Sequence, residues 1–223
     1  MSELTLLRHI EAWRFWEPIG EKDCHGQPEL ALVSLGHAYI WPPGEAAEAT
    51  CGYCPAFQQD CAGAAGEKGM PTYNCPGGLY GYKSKAFALK DPAVSDGNVI
   101  LGKVALWGRI TEHEKGYRAQ YGYPLSLEGG LCWHCGKLIP LDQAWLIVAD
   151  EMILVTCSRY SSHLANVFRP ASPNWKALLN PLNLRYVLLN VWMAKHFKYL
   201  QRPGWHTGLA ARYGVPAVAE RIV

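Results

Sequence analysis

Apolar and polar positions alternate with period two along two long stretches of this chain. In NVILGKVALWGRI, Ile100, Val104, Leu106 and Ile110 fall on one side of an extended backbone; in GYRAQYGYPLSL, Tyr117, Ala119, Tyr121 and Tyr123 do the same. Only TEHEK lies between them. Period two on both sides of a short polar loop predicts a β-hairpin. Upstream, IEAWRFWEPI and LALVSLGHAYIWPPG are apolar runs that end at Pro18 and Gly20 and at Pro42-Pro43-Gly44, and both read as strands. Downstream, AWLIVADEMILVTC reads as two short strands about Asp150-Glu151. SKAFALKD reads as a short helix with Ser84 at its N-cap.

The pattern changes after residue 170. Ser172-Pro173 and Asn180-Pro181 each pair an N-cap residue with proline at the first helical position. Leu182, Tyr186, Leu189, Met193, Phe197 and Leu200 then recur at helical spacing, up to a stop at Arg202-Pro203-Gly204. Trp192 and Tyr199 fall off that stripe, so the helix is apolar nearly all round. Such a helix has a second face to bury, against a protein partner, a larger assembly or a second copy of the chain. The plainer reading is a core helix whose Arg185, Lys195, Lys198 and Arg202 snorkel to solvent.

Together these elements predict an α+β protein. A mostly antiparallel β-rich domain spans residues 1–128 and carries a cysteine-rich loop at 51–78. A zinc-ribbon or treble-clef-like element spans 129–170, after the boundary suggested by Glu128-Gly129-Gly130. A helical region spans 171–223.

Composition narrows the class. The chain has 223 residues, 49% of them apolar and 18% charged, a globular balance and not a disordered one. A net charge of +2 supplies no strong field toward nucleic acid, although a local basic face is compatible with it. The first residues lack the apolar core of a signal peptide. The most apolar segment is broken by Arg185, Lys195, His196 and Lys198, so no membrane span is expected. The expected compartment is the cytoplasm, where the eight cysteines would stay reduced and clustered ones would serve as metal ligands.

In CWHCGKLIP, Cys132 and Cys135 have the spacing of a knuckle that turns two thiolates toward one tetrahedral zinc. Gly136 supplies positive φ where backbone N–H groups must face sulfur. The remaining ligands are expected from Cys157 and His163, with His134 the alternative because the Cys157-to-His163 spacing is loose for one helix face. Cys51, Cys54, Cys61 and Cys75 lie in a Gly/Ala-rich loop with little core of its own, and a second zinc would supply its folding energy. One or two zinc ions are therefore expected. An iron–sulfur cluster would use the same thiolates with weaker support from the spacing. Against both stands the reading of these residues as ordinary reduced cysteines. Cys24 and His25 read as surface residues. Closed thiolate sites are structural, which points away from metal-dependent hydrolysis.

Regular pairing about TEHEK would bring Arg109 close to Arg118, with Lys103, Trp107 and Gln120 on the same face. Opposed like charges need an offset. Glu112 or Glu114 supplies one as a local ion pair. DNA or RNA phosphate would supply another, with Trp107 stacking a base. His113, between Glu112 and Glu114, has the surroundings of a general base. No nucleophile pairs with it in sequence and no phosphate-binding glycine loop exists, so an enzyme using His113 and Glu112 ranks third.

WPPGEAAEATC, CPGGLYGYKS and LGKVALWGRITEHEKGYRAQYGYPLSL occur in the order of a small uncharacterised bacterial domain common in actinobacteria. Residues 10–128 resemble that domain. The resemblance implies a shared fold and brings no activity with it. Cys54, Cys61 and everything after residue 130 stand as additions. The resulting expectation is a non-enzymatic, zinc-stabilised module that contacts nucleic acid through Lys103, Trp107, Arg109 and Arg118. A protein–protein adaptor using the C-terminal helix is the alternative.

Overall fold

The computed structural model describes residues 9–22, 28–35, 39–49, 78–94, 97–149, 152–159, 197–201 and 205–217. Its described part is strand-rich and mostly antiparallel, with few helices, an α+β arrangement.

The two alternating stretches form the expected hairpin. Strand β5 (Val99–Glu112) pairs antiparallel with β6 (Gly116–Leu131). The turn is only His113–Lys115, with the His113 N–H donating to the Gly116 carbonyl at 2.8 Å. The first aromatic run is β1 (Ile10–Lys22), which continues through Pro18 and Gly20 and pairs with β2 (Pro28–Ser34) on one edge and β5 on the other. Two short strands, β3 (Ala47–Glu48) and β4 (Leu79–Tyr82), join the far edge of β6. A single pair, Trp13 opposite Tyr82, links β4 back to β1. The path β1–β5–β6–β4 therefore returns to β1, and the sheet closes on itself as a small barrel.

The sequence carries the means of that closure. A Cβ placed on Gly81 would sit 2.6 Å from the Ala12 Cβ and 3.0 Å from Leu106 Cδ1. Only a residue with no side chain fits where these strands approach so closely. Trp16, Leu79, Ile100, Val104, Leu106 and Ala119 fill the core beside it. A helix, α1 (Lys85–Leu89), is capped as its sequence predicts, with Ser84 Oγ accepting from the Phe87 N–H at 3.2 Å. It covers a second cluster of Phe15, Ala88, Val99 and Leu101.

Beyond the hairpin, β7 (Leu138–Pro140) pairs with the end of β6. The two short strands expected on either side of Asp150-Glu151 form as β8 (Ala144–Ala149) and β9 (Met152–Cys157), paired antiparallel. Their partner β10 (Phe197–Gln201) is a departure from expectation, because helical spacing ran through Phe197 and Leu200. Pairing with Leu146–Ala149 of β8, through an irregularity between Phe197 and Tyr199, makes the segment a strand. The rest of the predicted helix lies outside the described residues. A later helix, α2 (Trp205–Tyr213), locks the pieces together. Tyr213 Oη accepts from the Leu32 N–H at 3.0 Å and donates to the Trp41 carbonyl at 2.8 Å, while its own carbonyl accepts from Tyr123 Oη at 2.7 Å.

Glu128-Gly129-Gly130, expected as a boundary, lies inside β6 and is buried. A Cβ on Gly130 would meet Val155 Cγ1 at 2.6 Å. Gly130 marks a close approach between the two sheets, whereas Gly129 sits against Leu138 and Ile139 of β7 in its own sheet, and one core cluster takes in Leu127, Leu141, Ala144, Leu146, Val155 and Trp205.

Candidate metal centre

Where β6 ends, the chain makes a tight knuckle. The Gly136 N–H donates to the Cys132 carbonyl at 2.8 Å and the Cys132 N–H donates to the Lys137 carbonyl at 2.9 Å. Gly136 has φ 64°, as its place after the second cysteine requires. The knuckle is tied to β9 by the Trp133 N–H, which donates to the Val155 carbonyl at 2.8 Å. That tie places Cys157, the last residue of β9, against the knuckle, and its N–H donates to Cys132 Sγ at 3.3 Å.

The result is a cluster of Cys132, Cys135 and Cys157 whose sulfurs all lie within 4.8 Å of one another. Three thiolates about 2.3 Å from a shared tetrahedral metal stand about 3.8 Å apart, so the cluster has nearly the right size. Cys132 is fully buried, Cys157 half-buried and Cys135 exposed. Burial pushes the Cys132 thiol up to about 11, against the pull of the Cys135, Cys157 and His134 backbone N–H groups. Those N–H groups are an environment suited to a thiolate, and a bound cation would complete it. These three residues can hold a metal ion.

The sequence singled out all three. His134, the alternative ligand, contributes its backbone to the site, but its side chain is exposed and no part of the cluster. His163 lies outside the described residues, as do Cys51, Cys54, Cys61, Cys75, Cys24 and His25. Immediately after Cys157, Ser158 and Arg159 are helical. Sequence reasoning missed Gly97 and Asn98. Asn98 has φ 62°, donates its N–H to the Leu131 carbonyl at 3.0 Å and accepts the Val155 N–H on Oδ1 at 2.8 Å. A Cβ on Gly97 would meet the Cys132 carbonyl oxygen at 2.7 Å. The pair clamps β9 onto the knuckle, and the Gly-Asn dipeptide was its signal.

The hairpin face differs from the expected one. Gly108, with φ 79°, starts a β-bulge in which Gly108 and Arg109 together oppose Gln120. The bulge lies between the pairs Trp107–Tyr121 and Ile110–Ala119; on its turn side Thr111 lies opposite Arg118 and Glu112 opposite Tyr117. The Arg109 N–H points at Gln120 Oε1, 3.5 Å away. Lys103 is engaged by Glu11 at 3.3 Å. Trp107 stacks on Tyr121 with ring centroids 6.1 Å apart, beside the exposed Arg109. Glu112 is held by Lys83 at 2.6 Å. Among the described residues, no helix is long and apolar enough to cross a membrane.

No protein-family model, no curated protein and no solved structure matches this chain.

Proposed function

We propose that this chain is a non-enzymatic binding module built around a structural zinc ion held by Cys132, Cys135 and Cys157, with His163 as the fourth ligand. The observation that carries this reading is the convergence of three thiols within 4.8 Å at the junction of the two sheets. Thiolates select soft or borderline metals, and a knuckle followed by a hairpin is the way zinc-ribbon and treble-clef elements hold zinc. Three sulfurs and one imidazole close the coordination sphere. A closed sphere has no position for a reacting water, so the metal acts by cross-linking β6, β7 and β9.

Elemental analysis of protein purified without chelator, with its visible absorbance, tests the metal. Zinc in a colourless protein is expected. Iron with visible absorbance would replace this reading with a cluster and redox chemistry. A second zinc would assign the loop containing Cys51, Cys54, Cys61 and Cys75.

The partner surface in this reading is the Trp107–Tyr121 stack with Arg109 beside it, and the partner is single-stranded nucleic acid. Support comes from a half-exposed aromatic ledge next to an exposed guanidinium, which suits base stacking and phosphate contact. It is narrower support than a four-residue basic face would give, because Lys103 already has Glu11 as its partner. Fluorescence anisotropy with labelled DNA and RNA oligonucleotides across a salt series tests it. Affinity should fall steeply with salt and fall again in Arg109→Ala with Arg118→Ala. Salt-independent or absent binding removes nucleic acid from the proposal and leaves the metal site untouched. An acid–base role for His113 and Glu112 has less support, since Lys83 engages Glu112 and the His113 N–H closes the hairpin turn.

A further inference from the structure

Arg14, in the middle of β1, is a buried cation, with only 9% of its surface exposed. Burial lowers its pKa to about 10, which leaves it charged at neutral pH. The described ion pairs are Lys83–Glu112, Lys85–Glu128 and Lys103–Glu11; none reaches Arg14. Its Nη1 donates to the Tyr80 carbonyl and its Nη2 to Ser34 Oγ at 2.9 Å. Its plane lies over Trp41, 4.9 Å from the ring centroid. Its Nε–H has no acceptor among the described residues.

Two residues along the same strand, Trp16 repeats the condition. Its ring is fully buried, 5.6 Å from Trp41 edge-on, and its Nε1–H also has no acceptor among the described residues. Alternation puts Arg14 and Trp16 on one face of β1. Ser34 cannot satisfy either remaining donor, because its hydroxyl oxygen already accepts from Arg14 Nη2 and from Trp41 Nε1 at 2.9 Å. Buried N–H groups are nearly always paired, and a buried charge needs a counter-charge. Here two orphaned donors and one uncompensated cation lie against the same indole.

β1 changes neighbour strands at this point. The edge of β1 pairs with β4 at Trp13 and with β2 from Trp16 onward. Arg14 and Phe15 lie between the two ladders, so the seam of the barrel runs past the guanidinium.

We propose that Arg14, Trp16 and Trp41 form a binding site for one carboxylate group, which enters at the β1–β4 seam and accepts from Arg14 Nε and Trp16 Nε1. One positive charge is neutralised by a monoanion; a phosphate dianion would leave excess charge in a buried site. A carboxylate has two acceptor oxygens, one for each of the two unpartnered N–H donors. The site shares no residue with the cysteine cluster or the Trp107 ledge.

The test is a titration of the full-length, metal-loaded chain labelled with nitrogen-15, following the indole and arginine Nε–H resonances. Sodium benzoate and acetate are the probes, benzamide is the neutral control and inorganic phosphate the competing anion. The Trp16 indole peak is identified by its absence in Trp16→Phe. Benzoate should move the Trp16 and Arg14 peaks saturably while benzamide leaves them in place. Trp16→Phe, which keeps an aromatic ring, should bind benzoate about tenfold more weakly, the loss expected for one hydrogen bond to a charged group. Arg14→Lys, which keeps the charge and lacks Nε–H, should lose saturable binding; if it does not fold, the Trp16→Phe comparison decides alone. A tripeptide with a free C-terminus, set against its amide, distinguishes a peptide source of the carboxylate from a free acid. No saturable movement, an equal response to benzamide, unchanged affinity in Trp16→Phe, or saturation by phosphate only would each overturn the proposal.

Discussion

Gly81 and Gly136 are both indispensable glycines, for opposite reasons. At Gly81, in the barrel, the backbone is ordinary and the space is gone: an added Cβ would stand 2.6 Å from Ala12. At Gly136, in the knuckle, the space is open, with nothing within 4 Å of an added Cβ, but φ is 64°. The barrel is specified by packing, since each inward position is limited by the atoms across from it. The cysteine junction is specified by backbone conformation and by groups that converge on a point. An exposed Cys135 has little to pack against. Packing is self-sufficient, whereas a convergent set of donors is completed by what it binds.

The strongest way to break this contrast is Cys135→Ser. An exposed substitution with no metal at stake changes stability by at most about 0.5 kcal/mol. Losing a ligand from a structural zinc forfeits part of a binding energy on the order of 10 kcal/mol. Thermal melting with zinc analysis should show loss of zinc and a large fall in melting temperature. An unchanged melting temperature would mean the cysteines hold no metal.

Gly81→Ala comes next. Overpacking should cost about 1–3 kcal/mol, measured by denaturant unfolding, with zinc content unchanged. A parallel loss of zinc would show that the barrel sets the geometry of the junction. Gly136→Ala should cost about 1–2 kcal/mol, because a Cβ is disfavoured at left-handed φ, and should weaken metal affinity in competition with a chromophoric chelator. A loss of stability with no loss of affinity would separate the glycine from the site.

The smallest effect is a pH dependence. The buried Cys132 thiol has its pKa raised from 9.0 to about 11 in the metal-free chain. Between those values the unfolded state binds fewer protons than the folded one, so stability falls as pH rises. Metal-free protein should lose stability from about pH 9 upward, more than metal-loaded protein, whose thiols are already ionised. Identical alkaline profiles for the two forms would place the metal elsewhere.

The hairpin, β1, the first half of the LALVSLGHAYIWPPG run, the Ser84 cap and the β8–β9 pair were legible because each is local: period two and turn chemistry act over a few residues. The metal-ligand candidates Cys132, Cys135 and Cys157 were legible because thiol spacing is a chemical constraint written directly in sequence. The Gly108 bulge was not. There Gly108 and Arg109 of β5 together oppose the single Gln120 of β6, between the pairs Trp107–Tyr121 and Ile110–Ala119. Phe197–Gln201 carries helical spacing in sequence, and only its pairing with β8 made it a strand.

Sequence alone determined which residues alternate, which cap and turn, and which could bind metal, since these follow from covalent geometry and side-chain chemistry over short distances. Tertiary structure decided that β4 closes the sheet on β1, that Gly130 lets the two sheets approach closely, and that Arg14 and Trp16 face Trp41 with donors to spare. Those outcomes depend on which distant surfaces meet, and that is settled only when all of them compete to be buried at once.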